Sequence, residues 1–97
     1  MSSDQRTSHT PQVMVYTLST CRHCKDVKKL LETRGVAYEN VDVDLLEGDA
    51  RKKTIAEVRR HNPKVTFPTT IIGDEVVVGN KLARLEEKLN EFTDRRA

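Results

Sequence analysis

The apolar residues of the chain fall in short runs, and the spacing within each run predicts the element that it forms. Residues 13–18 (VMVYTL) are a continuous apolar and β-branched run, which is typical of a buried strand. Residues 22–34 place apolar side chains three and four positions apart, which predicts a helix. Gly35 stands where a left-handed residue often ends a helix, and residues 36–43 predict a second strand. The first half of the chain therefore predicts a β-α-β unit.

The second half of the chain predicts a helix, a hairpin and a final helix. Residues 49–61 are the helical stretch, and residues 62–63 (Asn-Pro) end it because proline cannot continue the hydrogen-bond ladder. Residues 67–72 and 75–78 predict two strands, which a tight turn at residues 73–74 joins into a hairpin. The final helix follows residue 80 and carries apolar residues on one face: Leu82, Leu85, Leu89 and Phe92.

The resulting order, β-α-β-α-β-β-α, predicts an α/β fold with a four-stranded mixed sheet flanked by helices on both faces. A chain of 97 residues is long enough for one hydrophobic core but not for two. We therefore expect one domain over residues 12–94. Residues 1–11 are polar and are expected to form a flexible tail.

Composition and charge argue against nucleic-acid binding, membrane insertion and secretion. The formal net charge is +2 and aromatic residues make up 4%, whereas nucleic-acid binders usually combine a strong basic excess with aromatic platforms. No apolar run approaches the roughly 18 residues that a membrane span needs, and the polar start lacks the apolar core of a secretory signal. These features predict a cytoplasmic monomer with no nucleic-acid and no membrane partner.

The two cysteines are the candidate catalytic residues. Cys21 and Cys24 are separated by two residues and lie where the first strand gives way to the first helix, and this pattern is typical of a redox motif in a cytosolic protein. Residues three apart on a helix share a face. At the helix start, unpaired N–H groups and the positive end of the dipole favour the thiolate of Cys21. Cys21 is therefore expected to attack a disulfide, and the inward-facing Cys24 is expected to resolve the mixed disulfide.

Residues around the cysteines are expected to tune this chemistry. Arg22 and Lys25 bring positive charge close to Cys21, and His23 is either a tuner of the reduction potential or an exposed surface residue. The hydroxyls of Ser19 and Thr20 are expected to cap the helix.

Two other interpretations of the cysteine pair are open. Both cysteines could be ordinary core residues, or they could form half of a zinc cluster. The three histidines (His9, His23 and His61) are isolated and no second cysteine pair exists, so no metal site is expected within a single chain. A cluster shared between two chains stays open.

In three segments the sequence resembles the glutaredoxin family, which has the thioredoxin fold. Residues 15–24 (VYTLSTCRHC) match the junction between strand and cysteine motif, and residues 35–44 (GVAYENVDVD) are similar to the second-strand signature. Residues 66–69 (TFPT), followed by the glycines at 73 and 79, are similar to the threonine–x–proline loop and its hairpin. The three segments occur in the family's order and spacing.

The resemblance implies a site and an activity. It implies a cis peptide bond before Pro68 facing the cysteines, pairing of the Phe67 backbone with an extended substrate, and a glutathione carboxylate bound by the amides of Gly79 and Asn80. It implies reduction of protein disulfides or glutathione mixed disulfides without a tightly bound cofactor. The reductant is either glutathione, as a co-substrate, or thioredoxin reductase. The alternative is an iron–sulfur carrier that bridges two chains through Cys21.

Overall fold

The computed structural model describes the backbone of residues 12–96 and the side chains of residues 12–91. The strands are β1 (Val13–Thr17), β2 (Glu39–Asp42), β3 (Thr69–Ile72) and β4 (Glu75–Val78). The helices are α1 (Arg22–Thr33), α2 (Gly48–His61) and α3 (Leu82–Arg96), and a short 3₁₀ helix covers Val43–Leu45. The order of strands and α-helices is the predicted one. The expected tail and the side chain of Phe92 lie outside the described residues, and the domain bounds stay a prediction.

The strand order of the sheet is β2-β1-β3-β4. β1 pairs with β2 in parallel, and the other two pairings are antiparallel, which confirms the mixed sheet. Tyr16 pairs with Thr69, and Thr69 pairs with Val78. The end of β1, the start of β3 and the end of β4 therefore meet at one edge of the sheet. The three loops that adjoin these strand ends carry the candidate site residues.

Both faces of the sheet are covered, as predicted. Val13 and Val15 of β1 face a core shared with α1 and α3, whose other buried members are Val27, Leu31, Ile72, Val77, Leu85 and Leu89. Tyr16, which follows Val15, faces the opposite side, where it packs with Val43 and with Val58 of α2. β1 is thus buried on both sides, which explains its continuous apolar sequence.

The end of α1 explains why β2 is shorter than the predicted span of residues 36–43. Gly35 takes the left-handed conformation, with φ of 70°, and its N–H donates to the Glu32 carbonyl at 3.0 Å. The N–H of Val36 donates to the Leu31 carbonyl at 2.9 Å, which completes a Schellman motif. Because Val36 still completes the helix end, pairing with β1 begins only at Glu39. At the other end, Val43 leaves the strand and enters the 3₁₀ helix.

Two neighbouring threonines of β3 differ in their hydrogen bonds, so replacing each with valine should change the stability of the fold in opposite directions. Thr69 and Thr70 are both fully buried, but the Thr69 hydroxyl donates to the Thr66 carbonyl at 2.7 Å and accepts from Asn62 Nδ2 at 3.1 Å. The Thr70 hydroxyl has no hydrogen-bond partner in the described part of the chain. We expect Thr70→Val to raise the free energy of unfolding by about 1 kcal/mol, because it removes an unsatisfied buried hydroxyl.

The matched variant Thr69→Val is expected to lower the free energy of unfolding by about 1–3 kcal/mol, because it removes the two hydrogen bonds that the buried Thr69 hydroxyl makes with the Thr66 carbonyl and the Asn62 amide. Urea denaturation of the two variants beside the parent protein measures both changes. Changes of the same sign in the two variants would contradict this assignment of the hydroxyls.

Candidate active site

Cys21 is the N-cap residue of α1. Its backbone is extended, with φ of −83° and ψ of 118°, and its Sγ accepts a hydrogen bond from the Cys24 N–H at 3.1 Å. The sulfur therefore occupies the capping place that the sequence assigned to the hydroxyl of Ser19 or Thr20, and that expectation is wrong. The first turn of α1 contains no acidic residue. A donated amide hydrogen bond and the positive end of the helix both favour negative charge on Sγ of Cys21.

Cys24 has a different environment from Cys21. Its side chain is fully buried, whereas Cys21 is partly exposed. Burial raises the pKa of Cys24 to about 12, and the hydrogen bond with Cys21 acts in the same direction. The expectation that Cys24 is the more shielded thiol is confirmed, and the raised pKa of Cys24 is in the expected direction. The site thus contains an accessible sulfur, that of Cys21, at the start of α1, and a buried thiol, that of Cys24, one turn further along the helix.

The turn before Cys21 is held by a residue that the sequence analysis missed. The Cys21 N–H donates to the Leu18 carbonyl at 3.1 Å, which closes a turn over residues 18–21. Within this turn, Ser19 donates its N–H to Asp44 Oδ1 at 2.8 Å and its hydroxyl to Oδ2 at 2.6 Å. The hydroxyl bond, followed by the backbone bond, lowers the pKa of the Asp44 carboxyl. The two residues are 25 positions apart, so no local pattern in the sequence indicates the contact.

Pro68 lies at the same edge of the sheet. The Phe67–Pro68 peptide bond is cis, as the resemblance implied, and Pro68 is buried directly before β3. Its carbonyl accepts the Gly79 N–H at 2.8 Å. Gly79 has φ of 84°, a conformation that favours glycine, and it places this N–H against the proline loop. Because that N–H is already bonded, a bound carboxylate would depend on Asn80 and the residues that begin α3.

His23 links the cysteine motif to the turn after β4. Its Nδ1 lies 3.0 Å from Asn80 Nδ2, and both side chains are exposed. The amide is a donor, so the ring nitrogen accepts. The structure thus brings together three of the predicted segments: residues 21–25, 67–68 and 79–80. Arg22 and Lys25 are exposed on the first turns of α1, and a tuning role for them and for His23 stays a prediction.

The described residues show neither a cluster of metal ligands nor a membrane-spanning helix. They contain no group of three or more histidine, cysteine, aspartate or glutamate side chains arranged to hold a metal ion. None of their helices combines the length and apolar character needed to cross a bilayer.

Comparisons with known proteins agree with this geometry. The glutaredoxin family model matches residues 13–77. Glutaredoxin 1 of Rickettsia conorii is 34% identical over 67 residues, which cover 69% of this chain and 62% of that protein, so the chain spans less than two thirds of that relative. The crystal structure of a glutaredoxin from Methanosarcina mazei Go1 is 48% identical with a TM-score of 0.75, and covers 80% of this chain and 77% of that one.

The crystal structure of Methanosarcina acetivorans methanoredoxin is 46% identical with a TM-score of 0.77, and covers 80% of this chain and 83% of that one. The TM-scores of these two structures show that both have the same overall fold as this chain. The family match extends from β1 through most of β4 and includes both cysteines and the cis-proline. This chain therefore belongs to the glutaredoxin family and has the thioredoxin fold.

Proposed function

We propose that the chain reduces disulfides by a dithiol mechanism, with Cys21 as the attacking thiolate and Cys24 as the resolving thiol. The observation that carries the proposal is the hydrogen bond from the Cys24 N–H to Cys21 Sγ at the start of α1. A hydrogen bond donated to Sγ supports Cys21 as the attacking thiolate, and it brings the backbone of Cys24 next to that sulfur. Exposure makes the same distinction, because only Cys21 reaches the surface.

In the first step, Cys21 Sγ attacks one sulfur of the substrate disulfide. A new S–S bond forms between Cys21 and the substrate, and the other substrate sulfur leaves as a thiolate that takes a proton from water. The thiolate is the nucleophilic form, so the amide of Cys24 and the opening of α1 support this step. Arg22 and Lys25 add positive charge on the same turns of the helix.

In the second step, Cys24 must lose its proton and attack Cys21 Sγ. Its pKa of about 12 in the reduced protein arises first from burial, then from the hydrogen bond with Cys21 and, more weakly, from the charge of Cys21. When Cys21 becomes a mixed disulfide, its charge is gone and the hydrogen bond is weakened, so the pKa of Cys24 falls. Attack then releases the second substrate sulfur as a thiolate, which takes up a proton from water to replace the one that Cys24 gave up to water. A Cys21–Cys24 disulfide is left, and two electrons and two protons have passed to the substrate.

Substrate binding is proposed at the edge of the sheet where the three segments meet. The backbone of Phe67, which lies two residues before β3, would pair with an extended substrate, so that the substrate adds a strand to the sheet. The amide of Asn80, two residues before the start of α3, would bind a carboxylate of glutathione. Membership of the glutaredoxin family supports glutathione and disulfide-containing proteins as the substrate classes. We place the protein in the cytoplasm as a monomer.

A direct assay tests the proposal. The fully reduced protein is mixed with a protein disulfide and, separately, with a glutathione mixed disulfide, and its products are identified by mass spectrometry. We expect one Cys21–Cys24 disulfide to form per two electrons transferred. Absence of this disulfide would contradict the dithiol mechanism. A brown, iron-containing protein after anaerobic purification, with no disulfide exchange, would support the iron–sulfur alternative instead.

The reductant is tested on the oxidised protein. Glutathione is offered to one sample, and thioredoxin reductase with NADPH is offered to another. We expect glutathione to reduce the Cys21–Cys24 disulfide faster, because the chain belongs to the glutaredoxin family. Faster reduction by thioredoxin reductase would contradict this and would make the flavoprotein the partner.

A further inference from the structure

The connection from β1 to α1 is short, and one carboxylate holds it. Only four residues separate Thr17, at the end of β1, from Arg22 at the start of α1, and the bond from Cys21 N–H to Leu18 O folds them into a turn. Ser19 presents two donors, its N–H and its hydroxyl, to the two oxygens of Asp44 at 2.8 Å and 2.6 Å. Hydrogen bonds to a charged acceptor are among the strongest in proteins, so this pair anchors the turn at Ser19, while Leu18 packs against the core under α2.

Asp44 is itself fixed from both sides. The preceding residue, Val43, is buried against Tyr16 and Val58 in the core under α2. The Asp44 carbonyl accepts a hydrogen bond from Arg51 Nη2 of α2 at 2.9 Å. These contacts fix the backbone of Asp44 to the core and to α2. The carboxylate therefore stays in place if the turn over residues 18–21 moves.

We propose that Asp44 is a positioning residue for the attacking thiolate: by holding Ser19, it keeps Cys21 in the extended N-cap conformation in which Sγ accepts the Cys24 N–H. The proposal rests on the proposed function, since it concerns the nucleophile of that reaction. Without the anchor, the turn can leave this conformation and Sγ loses its donor. The thiolate is then less favoured and less well aimed at an incoming disulfide.

If Asp44 acts by positioning, removing it shifts the pH profile of Cys21 alkylation in one direction. If it acts only through its charge, removing it shifts the profile in the opposite direction. A carboxylate near Cys21 repels the thiolate, so removing it for its charge alone would shift the alkylation profile of Cys21 to lower pH. Removing it as an anchor weakens the hydrogen bond from Cys24 and shifts the profile to higher pH. Simple destabilisation of the fold would lower the melting temperature without moving the profile. The pH profile of the folded protein therefore separates the three cases.

The test compares Asp44→Ala, Asp44→Asn and Ser19→Ala with the parent protein. Iodoacetamide alkylation of Cys21 is followed from pH 4 to 10, with the modified residue identified by mass spectrometry, and mixed-disulfide formation is measured at pH 7. Asp44→Ala is expected to slow both reactions about three- to tenfold at pH 7, with the alkylation midpoint moved to higher pH. Ser19→Ala removes the hydroxyl bond and keeps the charge of Asp44, so it should give a smaller change in the same direction. Asp44→Asn removes the charge, but its amide can still accept from the Ser19 N–H and donate to the Ser19 hydroxyl, so its rates should lie between those of the parent protein and Asp44→Ala.

Matched controls use neighbouring residues that make no such bonds. Asp49→Ala removes an equal charge from the exposed first turn of α2, and Thr20→Ala changes the exposed neighbour of Ser19 in the same turn. Both are expected to leave the rates and the profile unchanged. An unchanged or downward-shifted midpoint in folded Ser19→Ala and Asp44→Ala would overturn the positioning role. That outcome would leave the parent protein active, whereas failure of the proposed function would appear as an inactive parent protein.

Discussion

Replacing Cys21 with serine is expected to lower disulfide reduction by about a thousandfold or more, because a serine hydroxyl is not ionised at neutral pH and does not attack disulfides. Replacing Cys24 with serine is expected to preserve the first attack and block the second. Cys24→Ser should then accumulate a mixed disulfide between Cys21 and the substrate. The measurement is the substrate thiol released over time, together with the intact mass of each variant under non-reducing conditions.

Serine at position 21 is expected to leave the start of α1 intact. Serine is a strong N-cap residue, and position 21 already caps α1 through its side chain. Cys21→Ser is therefore expected to keep the helix start and the fold, as circular dichroism can confirm, so the lost activity is attributable to the lost thiolate. Equal activity in the two variants, or a trapped adduct on residue 24 in place of residue 21, would refute the assigned roles.

Local signals in the sequence predicted most of the framework. The apolar run of β1, the helical spacing of α1 and the glycine at position 35 act over a few residues, and the structure has each of them where expected. The hairpin of β3 and β4 is similarly local, with Gly73 at its tight turn in a left-handed conformation. The redox role of the cysteine pair could be predicted in the same way, because it depends on the strand directly before the pair and the helix that follows.

Features that depend on distant contacts were missed or misassigned. Ser19 carries a hydroxyl suited to a helix cap, but its hydroxyl and N–H both bond to Asp44, 25 residues away. Cys21 takes the cap because it is the residue directly before the helix. The contact between His23 and Asn80 joins residues 57 positions apart, and neither residue indicates the other in the sequence. Such pairs depend on how the three loops meet at the edge of the sheet, which only the assembled fold defines.

The raised pKa of Cys24 predicts that alkylation of the reduced protein is confined to Cys21 over a wide range of pH. With a pKa of about 12, only roughly one Cys24 side chain in a thousand is a thiolate at pH 9. Burial also denies the reagent access to it. Iodoacetamide added between pH 6 and 9 should therefore modify Cys21 at least about a thousandfold faster than Cys24, as counted from the two modified peptides by mass spectrometry.

The same protein in concentrated urea is the matched control. Unfolding exposes Cys24 to water, and its pKa returns toward the free-cysteine value of about 8.5, so both cysteines should react at similar rates. The direction of the effect is fixed by its cause: burial disfavours the charged form, so the folded protein holds the Cys24 proton at a pH where the unfolded chain has lost it. If folded protein is modified equally at both positions near pH 8, Cys24 is neither sealed nor protonated. The division of labour between the two sulfurs would then have no physical basis.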